Sequence, residues 1–429
     1  GNPWEIGLAE AHNSLKVNGL RELVELQTDG GLKTGLDVVK AGILGAESYA
    51  FGTSVLTILG CKLLRVCHLN KCSVGIATQD ETLRSEHYVG TVEKIISFFN
   101  FIADDIRGIL AKLGYKSLED IIGKTELLKV IDDDFTKNFD FSNILAKYDG
   151  IDTCQHEHNE PFDDNSFEKE LVSEIQNTIK NPKDNIVLHR EIRNIHRSFG
   201  ARISGEIAQY YGDTGLPEDS IKINLSGIAG QSFGAFLSNG TSIYLKGVAN
   251  DYVGKGMHGG KIIISSTLQG ENYSALGNTC LYGATGGKLY ASGSAGERFA
   301  VRNSGTIAVI EGTGDHACEY MTGGVVAILG KTGLNFGAGM TGGIAFIYDK
   351  RKTFIENMNQ ELIQAIRIDT DETNEARHYL KLLLKDYFNE SGSEKAKTIL
   401  DNFRVEIKNF WLVQPKNMKK LSLNPDDVD

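Results

Sequence analysis

The 429-residue chain is 41% hydrophobic and 24% charged, a globular profile, and it is too long for one ordinary core, so two or more domains are expected. A formal net charge of −11 argues against a nucleic-acid-binding surface. No run of about 18 apolar residues offers a membrane span, and the opening Gly-Asn-Pro-Trp-Glu lacks the basic start and apolar core of a signal peptide.

In chain order, Trp4 to Leu20 reads as a helix, with Leu8, Ala11, Leu15 and Leu20 near one face. Leu23–Thr28 reads as a short strand broken by Asp29-Gly30-Gly31, and Asp37–Leu44 as a helix ended by Gly45. Ser48–Thr53 reads as the next strand and turn. Glu81–Leu113 reads as mostly helical, its apolar positions supplied by Ile95, Phe98, Phe99, Phe101, Ile102 and Ile106. Residues 121 to 165 are acidic and irregular, with Asp132-Asp133-Asp134, Asp163-Asp164 and, between them, Cys154-Gln-His-Glu-His158. They suggest a linker or surface excursion. Phe167–Arg197 returns to helix, interrupted near Asn181–Asp184.

Glycine stands out, 48 residues against 6 prolines, and it concentrates between Gly227 and Gly343. Paired glycines or Ser-Gly precede apolar runs, and the second member of each pair falls at 260, 287, 305, 324 and 343, the last three intervals being 18, 19 and 19 residues. A short strand plus a glycine-rich corner at that period is the signature of a coiled solenoid of strands. Glycine is expected at the corners for positive φ and for close stacking. The polar, helical residues after Lys352 are expected to cover the solenoid's open end. The fold class is thus α/β plus β-solenoid. The expected division is 1–120 (strand–helix units), 121–185 (linker, irregular and helical) and 186–429 (glycine repeats with C-terminal helices).

Two features can carry chemistry. Asp29-Gly30-Gly31 follows a strand and precedes a helix, and Gly52-Thr53 repeats the device at the next strand end. Glycines let backbone N–H groups approach phosphate oxygens, and paired turns of this kind hold cofactor phosphates at the last strands of many (β/α)8 barrels; the plain alternative is two ordinary tight turns. Cys61, Cys67 and Cys72 then fall within twelve residues. Three thiolates suit a three-iron cluster, with one thiolate on each iron, whereas His68 as a fourth ligand would allow zinc at an unusual spacing. Arg65, His68, Asn70 and Lys71 lie among them as donors to cluster sulfurs, or as solvated groups. Six cysteines of which only three cluster suit a reducing compartment better than secretion. Cys154, His156 and His158 have no second ligand group nearby. Cys280 and Cys318 read as small buried residues, and Asp315, His316, Glu319 and Tyr320 as corner packing or a domain contact.

Several stretches together resemble the large subunit of glutamate synthase. They are Pro3 to His12, Leu26 to Gly35, Cys61 to Gln79, Gly254-Lys-Gly256, Tyr282 to Gly287, Ala295 to Asn303 and Gly314-Asp-His316, in the family's order and over nearly the whole chain. The resemblance implies that residues 1–120 end an FMN-binding (β/α)8 barrel. It implies that Cys61, Cys67 and Cys72 bind a 3Fe-4S cluster and that the glycine repeats form a right-handed parallel β-helix. Gln27, Asp29, Gly30, Gly31, Gly52 and Thr53 would line the FMN phosphate end. The implied reaction transfers the glutamine amide nitrogen to 2-oxoglutarate, with electrons reaching FMN through the cluster from an electron-donor subunit or ferredoxin in the cytoplasm. Lys71 and Ser73 stand where the family usually has Thr and Pro. The amidotransferase domain and about six of the eight βα units are not found in the sequence, and Gly1 suggests an excised or processed start. No catalytic residue is therefore expected within these 429 residues, and the chain alone is expected to be inactive. A non-catalytic β-helix scaffold that orients partner domains is the competing expectation, and the cysteine trio distinguishes the two.

Overall fold

The structure is a computed structural model, and it describes residues 2–67, 71–78, 80–156, 166–182, 185–266, 274–418 and 423. The chain forms two compact units, one within residues 1–162 and the other from 163 onward, so the segment 121–185 divides between them. Asp163, Asp164 and Asp184 lie outside the described residues.

In the first unit, helix α1 (Trp4–Val17) buries Leu8, Ala9, His12 and Lys16 along one face. Strand β1 (Gln27–Thr28), helix α2 (Gly35–Ile43) and strand β2 (Ser48–Tyr49) make a parallel strand–helix–strand unit, with Gln27 opposite Ser48 and Thr28 opposite Tyr49. Both strands are shorter than the sequence suggested. Arg21–Leu23 forms a 3-10 turn, because the buried Arg21 guanidinium gathers the Val24 and Gly45 carbonyls and the Glu47 carboxylate (2.8, 3.1 and 2.6 Å). Leu23 and Val24 stay exposed, with no packing to hold a pleat. The second strand ends early because Thr53 already opens helix α3 (Thr53–Ile58).

The helix expected from Glu81 is also interrupted. A π-turn over Leu83–His87 gives way to extended backbone at Tyr88, and helix α4 (Val92–Leu113) restarts behind the Thr91 cap. Its Leu110 packs with Val39 and Ile43 of α2 and with Ile121, while Phe101 points to solvent. Between 119 and 156 the described chain has only 3-10 turns, as the acidic composition suggested. It is nonetheless anchored: Ile121 and Ile122 are buried, and Asp152 meets Lys16 and His12.

The second unit opens with helix α5 (Ser166–Lys180). The helix expected to continue to Arg197 stops there, and the β-branched, alternating run after Asn181-Pro182 becomes strand β3 (Ile186–Ile192). Helix α6 (Ala201–Tyr211) follows. Seven more strands come next: β4 (Ile221–Ala229), β5 (Thr241–Ala249), β6 (His258–Ser265), β7 (Gly286–Ser292), β8 (Ser304–Ile310), β9 (Thr322–Ile328) and β10 (Gly342–Tyr348). Each pairs parallel with the one before it, from β3 to β10. The chain closes with helix α7 (Phe354–Asn357), strand β11 (Ile363–Arg367), helices α8 (Asn374–Ser391), α9 (Glu394–Asp401) and α10 (Phe403–Glu406), and strand β12 (Phe410–Pro415).

Strand register puts like residues on like. Ile223, Ile243, Ile262, Leu289, Ala308, Val326 and Ala345 face one another in sequence across the sheet and fill one core. The alternate residues Ile263, Tyr290, Val309, Ala327 and Phe346 fill a second core on the opposite face. Corners stack as regularly as strands. The N–H groups of Ser232, Tyr252, Thr279, Arg298 and His316 each donate at 2.8 Å to the next coil, at Asp251, Asn278, Glu297, Asp315 and Leu334. Alternate corner residues adopt left-handed backbone, φ being 62°, 65° and 63° at Tyr252, Gly254 and Gly256. Equivalent positions elsewhere hold Arg298, Ala300, Arg302, His316, Cys318 and Tyr320, so positive φ alone does not demand glycine here. Close approach does: a Cβ on Gly324, whose φ is 81°, would sit 2.5 Å from the Thr306 carbonyl oxygen of the neighbouring coil.

The C-terminal helices do not cover the end of the stack. Leu380, Leu383, Leu384 and Tyr387 of α8, with Ile399 of α9, bury the sheet's second face. The last coil is closed by β12, which pairs antiparallel with β10 and carries β11 outside it. At the other end α5 and α6 seal the core with Leu171, Ile175, Ile203 and Ile207. No helix among the described residues is long and apolar enough to cross a membrane.

Candidate functional site

The two strands of the first unit have different ends. At their N-terminal ends Glu47 ties the pair together. It accepts from the Leu26 N–H (3.1 Å), the Arg21 guanidinium and the Cys154 N–H (2.6 Å). Arg21 Nε also donates to His12 Nδ1 (3.1 Å), and His12 Nε2 lies 3.2 Å from Asp152. Burial, then the Arg21 charge, push the His12 imidazole below its usual pKa. Nothing in the sequence except a histidine on the apolar face of α1 announced this cluster. It closes the end of the strand pair away from the glycine turns.

At the C-terminal ends the chain is open. Gln27 donates to Ser48 Oγ (2.9 Å) across the strands, and the Ala50 N–H reaches the Thr28 carbonyl (2.9 Å). Asp29, Gly30, Gly31, Gly52 and Thr53 are all exposed. A Cβ added at Gly31 or Gly52 would meet nothing within 4 Å, so both backbones border free space, whereas Gly30 is backed by Trp4. The two helices that follow differ. At α2 the donors are already taken. Asp37 accepts from the N–H groups of Lys33 (2.9 Å) and Thr34 (3.0 Å), Thr34 Oγ1 accepts from Asp37 N–H, and Asp105 accepts from Gly35 N–H (3.0 Å). Burial raises the Asp37 carboxyl, but these hydrogen bonds outweigh it and leave the group below the usual carboxylate range. Two carboxylates there oppose a phosphate. At α3 the N-cap is Gly52, with no side chain bonded to the first turn. Of the two expected phosphate turns, only the first shows its donors committed to side chains among the described residues. Phe51 beside it packs edge-on against Phe99 of α4, ring centres 5.3 Å apart.

The cysteine loop leaves from the far end of α3, where the Cys61 N–H still caps the helix through the Leu56 carbonyl (2.9 Å). The Leu63 N–H points at Cys61 Sγ (3.4 Å). Leu63 and Arg65 both take left-handed backbone, φ 55° and 60°, a cost of about 1 kcal/mol or more per residue that favours a functional loop. Cys72 is buried. Burial raises its thiol pKa, but the N–H groups of Ala77, Val74, Ile76 and Gly75 outweigh that and bring it below the ordinary thiol value, favouring the thiolate that metals bind. Cys67 is exposed. Among the described residues no group of three or more His, Cys, Asp or Glu converges to hold a metal ion, so the three thiols fit a cluster in donor chemistry but are not gathered into a cage. His68, Asn70 and His158 lie outside the described residues.

Cys280 and Cys318 are fully buried in the repeats, and burial pushes the Cys280 thiol up to about 12 and the Cys318 thiol higher still. His316 Nδ1 meets Glu319 (2.8 Å), and Asp315 accepts from the Leu334 N–H (2.7 Å). The first bond lies within one corner, and the Asn335 amide, 3.2 Å from His316 Nδ1 and donating to Glu319 (3.4 Å), joins Asp315 in bonding that corner to the next, so these residues serve corner packing.

Residues 1–116 match the family described as "Conserved region in glutamate synthase", and residues 164–416 match that described as "GXGXG motif". The chain is 47% identical to a ferredoxin-dependent glutamate synthase of Antithamnion sp., over 97% of this chain and 27% of the relative. It is 43% identical to the large chain of the NADPH glutamate synthase of Bacillus subtilis (98% and 28%), and 44% identical to the NADH glutamate synthase of Schizosaccharomyces pombe (98% and 20%). The chain thus spans about a quarter of the length of the curated relatives it matches.

Proposed function

The chain belongs to the glutamate synthase family, and from that premise we propose that it carries the electron-relay end of the enzyme. In this reading residues at the N-terminal side are the last βα units of an FMN-binding barrel, Cys61, Cys67 and Cys72 hold a 3Fe-4S cluster, and the glycine repeats form a right-handed β-helix. The reaction of the whole protein is the reductive transfer of the glutamine amide nitrogen to 2-oxoglutarate, giving glutamate, in the cytoplasm. When bound, FMN would supply the hydride and the cluster would supply single electrons to it.

The observation that carries this reading is the join made by α3. Its N-terminus is the open Gly52-Thr53 turn, its C-terminus leads into Cys61, and its six residues span only about 9 Å. Gly31 and Gly52 leave room for a phosphate, with Gln27, Asp29, Gly30 and Thr53 around it. The N–H groups around Cys72 hold it toward thiolate. The donor remains open in kind, since the relatives' names give ferredoxin, NADPH and NADH. A second reading, a non-catalytic scaffold, draws support from the second unit, where Asp315, His316 and Glu319 are spent on bonds within their corner and to Leu334 and Asn335 of the next.

Anaerobic purification with iron and sulfide assays and low-temperature EPR tests the relay. Bound cluster is expected, and is expected to be lost in Cys61→Ala. A clean preparation with less than one iron per chain after reconstitution would sink it in favour of the scaffold. The 429 residues alone are expected to form no glutamate from 2-oxoglutarate, glutamine and a reductant.

A further inference from the structure

The cluster behind the strand pair holds more than the strands. Three backbone donors of the irregular acidic segment end on it: the Cys154 N–H on Glu47 (2.6 Å), and the Gln155 and His156 N–H groups on the Glu22 carbonyl (2.8 and 3.1 Å). Asp152 of the same segment accepts from the Lys16 ammonium and lies 3.2 Å from His12 Nε2. Residues 152–156 are thereby tied to α1 and to the turn around Arg21.

His12 is the member of this cluster whose charge changes near neutral pH. Its partners fix its proton. Arg21 Nε can only donate, so His12 Nδ1 accepts (3.1 Å) and carries no proton, and the proton of the neutral ring sits on Nε2 toward Asp152. The ring is buried against the Gly45 backbone, where a Cβ would stand 2.3 Å from it, so it has no room to turn aside. Around it stand Lys16 of α1, Arg21 and Glu47 beside the strands, and Asp152, two cations against two carboxylates. Lys147 and Tyr148 line, with His12, a void of about 10 Å³, room for one water. A second proton on the ring must go to Nδ1. There it faces the Arg21 N–H, so two donors oppose each other and the cluster holds three cations against two carboxylates.

We propose that His12 is the trigger of an acid-sensitive latch: protonated at Nδ1, it expels Arg21, and with Arg21 go Glu22 and Glu47, which hold residues 154–156 against the strand pair. Acid thus frees the segment at the closed end of the strands whose other ends carry the two glycine turns. Burial, then the Arg21 charge, depress the imidazole pKa in the folded chain. The latch therefore holds above the ordinary histidine value of about 6.5 and loosens as pH falls from there toward the folded value.

Hydrogen exchange of the full chain, read by mass spectrometry and divided by the intrinsic amide rate at each pH, tests the latch. Protection at residues 154–156 is expected to fall several-fold between about pH 7.5 and about pH 5.5, while that of strand β5 holds. His12→Gln, which cannot take the charge, is expected to show no such fall. Unchanged protection of the parent chain over that window, a glutamine variant that still loses it, or loss at β5 in step with 154–156 would each overturn the latch. If His12→Gln does not fold, the parent chain still decides the first and third outcomes, and His12→Asn supplies the second.

Discussion

Replacing Glu168 with alanine removes one carboxylate oxygen that accepts three backbone hydrogen bonds, from the N–H groups of Gly200 (2.9 Å), Arg202 (3.0 Å) and Ile203 (3.1 Å). Those donors form the N-terminus of α6, and Glu168 comes from α5, so a single side chain joins the two helices that seal the first coil. The residue is 0% exposed, and bulk water does not reach the site in the folded chain. Each buried N–H left without a partner costs about 1–3 kcal/mol, and a negative charge at a helix N-terminus contributes about 0.3–2 kcal/mol. Water entering the vacated space recovers part of this. The expected loss for Glu168→Ala is about 3–5 kcal/mol, comparable to breaking a buried charge pair. Glu168→Gln keeps an acceptor oxygen in place and should lose about 1–2 kcal/mol. Urea unfolding followed by circular dichroism would read both through the shift of midpoint at unchanged slope. If the alanine variant stays within about 1 kcal/mol of the parent, or if glutamine costs as much as alanine, the capping account is wrong.

The Asp37 cap of α2 gives a pH signature. Its folded pKa is depressed, so its contribution is present above the unfolded value, near 3.9, and disappears as pH falls through the folded one. Asp37→Ala should cost about 0.5–1 kcal/mol at neutral pH and nothing in strong acid, as read from stability measured against pH. Thiol labelling should rank the cysteines, with Cys67 reacting first and Cys280 and Cys318 silent until the protein unfolds. Two glycine-to-alanine changes should differ in sign under thermal melts. Gly324→Ala drives a Cβ into the next coil and should cost about 2 kcal/mol or more. Gly108→Ala, in the exposed middle of α4 with nothing within 4 Å, should gain about 0.5–1 kcal/mol.

Much of the architecture was readable from residue periodicity. Glycine pairs at 18 or 19 residues marked successive strands of the parallel sheet because backbone there passes backbone, and a Cβ at Gly324 would meet the Thr306 carbonyl. The strand after Asn181 was misread as helix because one short strand, bounded by a helix and a proline, offers too few residues for its period to show. The shortened strands at 23–28 and 48–53 have other causes. In the first, Arg21 redirects the backbone through bonds to Gly45 and Glu47, far along the chain, which local propensity does not encode; in the second, helix α3 already begins at Thr53. At the site, sequence chose both glycine turns equally. Only the positions of Asp37 and Asp105 distinguish the turn whose donors are filled by side chains from the other. The resemblance named the cysteines, but it could not supply the N–H groups that favour the Cys72 thiolate.

Because each described strand from β3 to β10 pairs with the next in the chain, the sheet lengthens in fixed steps. One added repeat moves everything beyond it by one strand spacing, about 4.8 Å. Residues 260 and 287 are 27 apart where the later intervals are 18 or 19, yet Ile262 still faces Leu289 in register. The eight or nine extra residues therefore add no height. Reach along the stack is thus a counted quantity, set by the number of coils, while the outline of any one coil is free to grow. A deletion of one whole repeat should preserve the fold and shorten the reach by one step, whereas removing half a repeat should break the register of every strand after it.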